Sequence, residues 1–365
     1  MNIKLKTTDL KAVLAKVARG MGNNKFVPMT GLLGMNIADG RLRILSTDGT
    51  NTMQADMAVE SDGAASFSVP GATFTRLIEK TSSDSVELEM EGTSLTVRGN
   101  GKYTFAIPAD EDGNAVTFDN ISTDGIEGVE VKTETLRQSY EGTRQSLSDR
   151  DNVEAHNGIF FDKDGAIGTN GLKISQYRKP CVENPLFLPN RLVSFATLFD
   201  TDTVRIHYSD DGKVLIIGKG LVISGRQITD YDDDTTFPVE RIKGLVGREM
   251  PNKVTLKKAT LSDIMDRMSI FSTMDKTILV LDFEEDGLVM SSSDGQRQER
   301  ADYVGKPSFG KYSLRVDTQL LKPLLDSTQS AEVDVCYGQS DNDGGASFLK
   351  LETDTTRHVI ALVEE

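Results

Sequence analysis

Three histidines (His156, His207 and His358) and two cysteines (Cys181 and Cys336) are the residues of this chain best suited to nucleophilic, redox or metal chemistry. Their spacing supports none of it. No histidine has a ligand partner at metal spacing, and there is no nucleophile elbow, phosphate-cradling Gly-rich loop or zincin pattern. The acidic run TDYDDDTT from Thr229 hints at calcium, but the places where an EF-hand loop needs Gly and Glu hold Thr235 and Arg241. It reads as a solvated loop. The chain is expected to be no enzyme and to need no metal or cofactor. The other chemistry within reach is electrostatic. Lys11, Lys16, Arg19, Arg76, Lys80, Arg137, Arg144, Arg191, Lys258, Arg267 and Lys322 all fall on predicted helices.

Those helices are predicted over 8–20, 72–80, 134–147, 190–199, 258–271 and 316–326. Together they carry a net +3, which leaves −18 for the rest of a chain whose total is −15. An even spread of that acidity would argue against a nucleic-acid partner. A less acidic helical face on an acidic body does not, because charge beyond roughly 8–10 Å is screened and the nearest side chains set the contact energy. In the first helix, Leu10, Val13, Leu14, Val17 and Ala18 form an apolar stripe that Lys11, Lys16 and Arg19 avoid, with Thr7 or Thr8 as the cap.

The elements that position these helices repeat. LSTDGT at 45–50, IGTNGL at 167–172 and SSSDGQ at 291–296 place a Thr/Ser-Asp/Asn-Gly turn three times, 122 and 124 residues apart. Each turn follows a strand, an Asp-Gly hairpin and a second strand. Helix candidates opening on Leu10, Leu136 and Leu261 lie upstream, 126 and 125 residues apart. A further strand-helix-strands block follows each turn. Pro323 inside the last helix predicts a short or kinked element. The fold class is therefore α+β, with three similar domains over 1–122, 123–247 and 248–365, each with antiparallel sheets and two helices. The polar, Gly-bearing segment DNISTDGIEG is the first connector. A single catalytic pocket is not the organising principle of such a chain.

A chain of 365 residues with 38% hydrophobic residues can bury several cores. The two cysteines match no paired spacing and read as free thiols of a reducing compartment. The N-terminus alternates polar and apolar residues, and no stretch approaches the ~20 apolar residues of a membrane span. A cytoplasmic location and no membrane partner are expected.

In its threefold repeat, length and local motifs, nearly the whole chain resembles the bacterial DNA polymerase III beta subunit, the sliding clamp, or a bacteriophage relative. The resemblance implies helices that line a hole holding duplex DNA, sheets that form the outer wall, and two subunits joined head to tail in a ring. Such a homodimer tethers a DNA polymerase and is placed on DNA by a clamp loader. NGIFFDKDGAIGTNGLKISQ resembles part of the family's peptide-binding cleft, which implies roles there for Thr169, Gly171, Leu172, Lys173 and Ile174. TTFPVERI resembles the segment that completes the cleft and adds Phe237, Pro238, Arg241 and Ile242, with Val359, Ile360, Leu362 and Val363 at its C-terminal wall. Glu364 stands where a basic residue is usual and Leu172 where histidine is usual, so a phage polymerase or loader fits as well as a host one. The resemblance further implies phosphate contacts from Lys25 in GNNKFVP and Arg150 in LSDRDN. It implies a subunit interface that uses Tyr103 and Phe105 on one side and Ile270 and Phe271 on the other. The competing reading is a structural or virion-associated β-repeat binding protein with no sliding activity.

Overall fold

The computed structural model describes residues 1–148, 153–229, 237–270, 278–308, 310–338 and 348–363. Arg150, Phe271, Glu364 and most of the acidic run after Thr229 lie outside the described residues. All strand pairs between the named elements are antiparallel, as an α+β chain of hairpins requires.

One element order recurs three times. The first third runs β1 (Asn2–Lys6), α1 (Thr7–Val17), β2 (Leu32–Ala38), β3 (Arg41–Thr47), β4 (Thr52–Ala58), β5 (Glu60–Ser61), β6 (Ala65–Pro70), α2 (Gly71–Lys80), β7 (Ser85–Glu91), β8 (Ser94–Arg98) and β9 (Lys102–Ala106). The middle runs β10 (Val129–Lys132), α3 (Thr133–Thr143), β11 (Gly158–Asp162), β12 (Gly165–Thr169), β13 (Lys173–Tyr177), β14 (Leu186–Pro189), α4 (Asn190–Ser194), β15 (Thr203–Tyr208), β16 (Lys213–Gly218) and β17 (Leu221–Arg226). After α5 (Val239–Gly247) come β18 (Asn252–Lys257), α6 (Lys258–Ser269), β19 (Ile278–Phe283), β20 (Gly287–Ser292), β21 (Gln298–Asp302), β22 (Tyr312–Asp317), α7 (Thr318–Ser327), β23 (Glu332–Tyr337), β24 (Phe348–Glu352) and β25 (Thr356–Ala361).

The recurring turn is built by the same hydrogen bonds in the first two copies. Thr47 Oγ1 accepts from Gly49 N and Thr169 Oγ1 accepts from Gly171 N, each at 3.1 Å. Asp48 Oδ1 and Asn170 Oδ1 then accept from the next two amides, Thr50 and Asn51 in one case and Leu172 and Lys173 in the other. In the third copy Asp294 Oδ1 accepts from Gln296 N, and Ser292 Oγ takes the amide of Arg297. Each glycine has a positive φ of 96°, 84° and 68°, which a side chain would strain.

The chain divides into two compact units. The first combines residues 1–134 with 194–227, the second 135–193 with 228–365, so the strands of the middle third are shared between them. The first unit holds a five-stranded sheet, β5-β1-β7-β8-β9, and an eight-stranded sheet, β10-β15-β16-β17-β4-β3-β2-β6. Leu10, Leu14 and Val17 of α1 and Phe74 and Ile78 of α2 are buried in it. The second unit holds the sheet β14-β11-β12-β13-β25-β24-β23-β18 and the smaller sheet β21-β20-β19-β22. Within each eight-stranded sheet, strands from different thirds pair directly: β17 with β4, and β13 with β25.

Several expectations change. The N-cap of α1 is Lys6 without a side-chain cap bond, not Thr7 or Thr8, because Thr7 is buried as the first helical residue with its amide donating to Asp84 O at 3.0 Å. The helix expected over 190–199 is a five-residue α4 followed by a tight turn over Phe195–Leu198. Pro323 neither truncates nor breaks α7, which runs ten residues from an Asp317 cap that accepts from Gln319 N at 2.9 Å. A further helix, α5, occupies the segment that begins in the expected cleft stretch TTFPVERI.

Candidate nucleic-acid and partner-binding surfaces

The basic side chains of the helices fall into two groups. In the first, the charge serves the fold. Lys11 Nζ donates to Thr81 O, the C-cap of α2, at 2.7 Å, where a cation meets the negative end of the helix dipole. Lys258 does the same at the end of α7, bonding Asp326 O at 3.0 Å and Thr328 O. Lys16 is ion-paired with Asp200. Lys322 lies 3.0 Å from Asp266 and 2.7 Å from Asp326. Arg267 holds Glu299 of β21 through Nε at 2.9 and 3.1 Å and Nη2 at 2.5 Å. That hydrogen-bonded guanidinium keeps the Glu299 carboxyl below the usual carboxylate range.

The second group lies nearer the surface. Lys25, Arg76 and Lys80 are exposed and make no ion pair among the described residues. Arg19 and Arg191 are exposed, and Arg137 is half-buried. Arg144 is exposed, 2.8 Å from Glu141 and with its guanidinium 5.8 Å from the centroid of the Tyr140 ring. Spacing alone could not separate the two groups, because all but the Lys322–Asp326 pair are contacts with a distant part of the chain.

The cleft residues are sorted by strand alternation. Ile174 pairs with Val359 and Lys173 with Ile360 across β13 and β25, so neighbours point to opposite faces. On one face Ile174, Val359, Phe237 and Ile242 join a single apolar cluster with Phe160 and Phe187, beneath α5. Phe237 lies 4.6 Å from the Phe187 ring centroid and is buried. On the other face Ile360 joins a second core, with Leu362 packed against it. Lys173 is buried there too, with Nζ bonded to Gln145 O, and burial lowers its pKa. The structure therefore does not bring Lys173 and Ile360 to the surface shared by Ile174, Val359 and Phe237. What meets solvent is Leu172 at 56% exposure, Gly171, Arg241 and, partly, Pro238. Ala361 N donates to Leu172 O at 3.0 Å and Val363 N to Arg315 O at 2.9 Å, which fixes the C-terminal segment. Thr169 is buried, its hydroxyl donating to Lys173 O.

The interface residues separate similarly. β9 is a sheet edge whose backbone on one side has no strand partner among the described residues, a surface that invites pairing. On it Tyr103 is exposed, whereas Phe105 is half-buried and packs edge-on against Phe74 at 5.9 Å. Ile270, just past α6, is 74% exposed. β21 is likewise an edge, beside α6 through the Arg267 and Glu299 pair.

Sequence reasoning passed over Phe26, 95% exposed in the loop after α1, and weighed His358 only as a metal ligand, whereas it is buried on β25 opposite Ser175 of β13. An aromatic inside the polar stretch GNNKFVP was the available signal for the first. The second had none. Among the described residues, no three His, Cys, Asp or Glu side chains gather as a metal site, and no helix is long and apolar enough to cross a membrane. Both cysteines are free, and burial pushes each thiol up to about 11.

The three recurring helix-and-hairpin units, joined through shared antiparallel sheets, define a sliding-clamp fold. The chain is similar over its whole length to the DNA polymerase beta subunit of Streptococcus pyogenes (14% identity, TM-score 0.84, 100% of both chains covered). It is similar to the DNA polymerase sliding clamp of Bacillus subtilis (13%, 0.84, 100% of this chain and 99% of that one) and to the DNA polymerase III beta subunit of Thermotoga maritima (16%, 0.83, again 100% and 99%). At these identities the likeness establishes the fold. By sequence, residues 1–113 match the family model of the N-terminal domain of the DNA polymerase III beta subunit. A comparison with curated protein sequences finds no match.

Proposed function

We propose that this protein is a DNA polymerase processivity factor, a homodimeric sliding clamp that encircles duplex DNA and performs no catalysis itself. The observation that carries the reading is the threefold recurrence of one helix-and-hairpin unit, with its hydrogen-bonded turn, in a chain that has the sliding-clamp fold from end to end. In this reading 1–122, 123–247 and 248–365 are three equivalent domains, and their helices face the DNA. Lys25, Arg76 and Lys80, together with Arg19, Arg137, Arg144, Arg150 and Arg191, meet phosphates without reading bases, as sliding requires. Lys11, Lys16 and Arg267 support the helices that carry them. Exposed Tyr103 on β9 and Ile270 beyond α6 join subunits, with Phe105 behind Tyr103 and Phe271 as the further residue of the second segment. The surface at Leu172, Pro238, Arg241 and Val363 takes a peptide of the polymerase or clamp loader, over the core formed by Ile174, Phe237, Ile242 and Val359. The working place is the cytoplasm of a bacterium or of a phage-infected cell.

The test is topological. Light scattering across a dilution series is expected to give twice 39.9 kDa. Loader-dependent retention on circular duplex should vanish when the circle is cut. A monomer at every concentration, retained equally on circles and linear DNA, sinks the reading.

A further inference from the structure

Among the described large apolar residues, Phe26 is the most exposed, and Val27 beside it is 41% exposed. The loop that carries them is firmly built. It leaves α1 through the turn at Ala18–Gly20, and Met21 then sits so close to the first residue of α2 that a Cβ on Gly71 would come within 2.2 Å of its sulfur. Gly22 N donates to Thr30 O at 3.0 Å and to Thr47 O at 3.2 Å. Asn24 Oδ1 accepts from Phe26 N at 2.9 Å, and Thr30 Oγ1 donates to Val27 O at 2.8 Å. The backbone on both sides of the ring is therefore held while the ring itself stands in solvent.

Charge selects what could cover it. From Ala18 to Gly31 the chain carries Arg19 and Lys25 and no carboxylate, in a protein of net charge −15. Lys25, next to the ring, is exposed and has no ion pair among the described residues. An exposed aromatic beside an exposed cation suits an unstacked nucleotide, with the ring lying on the base and the cation on the phosphate. Duplex bases, stacked on their neighbours, offer no such face.

We propose that Phe26 and Lys25 form a contact for unpaired nucleotides of DNA, the ring stacking on an exposed base and the ammonium holding the adjoining phosphate. The proposal rests on the reading that this protein works on DNA, and places the contact where duplex gives way to single strand.

The chain has no tryptophan, so Phe26→Trp creates a fluorophore at this one site. Titrated at low salt with an oligothymidylate of about twenty nucleotides, that variant should be quenched, as stacking demands. Phe26→Ala should weaken the oligothymidylate complex roughly tenfold or more, by the worth of one stacked base, and leave blunt duplex affinity unchanged. Lys25→Gln should weaken both and flatten their salt dependence. No binding of the oligothymidylate, unchanged emission from the introduced indole at saturation, or equal affinity of wild type and Phe26→Ala overturns the contact, and a protein partner would then be the better occupant. Retention of wild type on circular duplex is measured alongside. If retention holds while the fluorophore is silent, only the stacking contact fails. Absent retention, whatever the fluorophore does, removes the clamp reading itself.

Discussion

Ser175 Oγ lies 2.7 Å from Nδ1 of His358, across the pairing of β13 with β25. Ser146 Oγ lies 2.5 Å beyond Ser175, so three buried polar side chains form a line through the seam of an eight-stranded sheet. The other ring nitrogen of His358 has no hydrogen-bond partner among the described residues. Burial, reinforced by the Lys173 ammonium, pushes the histidine down to about 4 from its ordinary 6.5. Between those values the unfolded chain binds a proton that the folded chain refuses, so stability rises with pH through this window. The contribution is complete above pH 6.5 and is lost as pH falls toward 4, by roughly 3 kcal/mol in all. Urea unfolding at half-unit pH steps should show the slope, and His358→Asn should flatten it. An unchanged slope in the variant assigns the acid sensitivity elsewhere.

Replacing Lys25, Arg76 and Lys80 with Glu should loosen DNA and cut the salt dependence of binding, by a slope of about 0.9 for each phosphate no longer neutralised. Lys16→Ala and Arg267→Ala should change that slope little, since Asp200 and Glu299 already hold those cations. Filter binding from low to moderate salt compares the sets directly.

At the edge strand, Tyr103→Ala and Ile270→Asp are expected to shift mass from dimer to monomer and to lower the melting temperature only by the lost association, because both side chains are exposed in the single chain. Phe105→Ala should instead cost about 2 kcal/mol of folding stability, since its ring packs on Phe74. Light scattering and thermal melting, read together, separate the two roles.

Leu172→Asp should abolish capture of a polymerase-derived peptide while the protein melts normally. Phe237→Ala removes a ring wedged against Phe187 and Phe160 and should cost about 3–5 kcal/mol. Loss of peptide binding in that variant would report a damaged core, so calorimetry with Leu172→Asp is the cleaner measurement.

Chemical modification of the intact protein by a thiol reagent should be slow at both Cys181 and Cys336 near neutral pH, because burial keeps each thiol protonated. Modification should accelerate only once urea opens the fold. A fast phase in native protein would mean that one of these sites opens readily.

The sequence by itself determined the features that depend on neighbours along the chain. The Thr47-Asp48-Gly49 turn closes through bonds spanning two to four residues, so its repetition near Asn170 and Asp294 was legible, and with it the threefold plan. The stripe of Leu10, Leu14 and Val17 was legible for the same reason. Tertiary structure alone decided which cations remain exposed, because Lys16 meets Asp200 from 184 residues away and Lys11 meets Thr81 from 70. It also decided that β13 pairs with β25, which turns Lys173 and His358 inward and leaves Leu172 in water. A turn carries its own partners, whereas an ion pair or a sheet seam exists only after distant segments have packed.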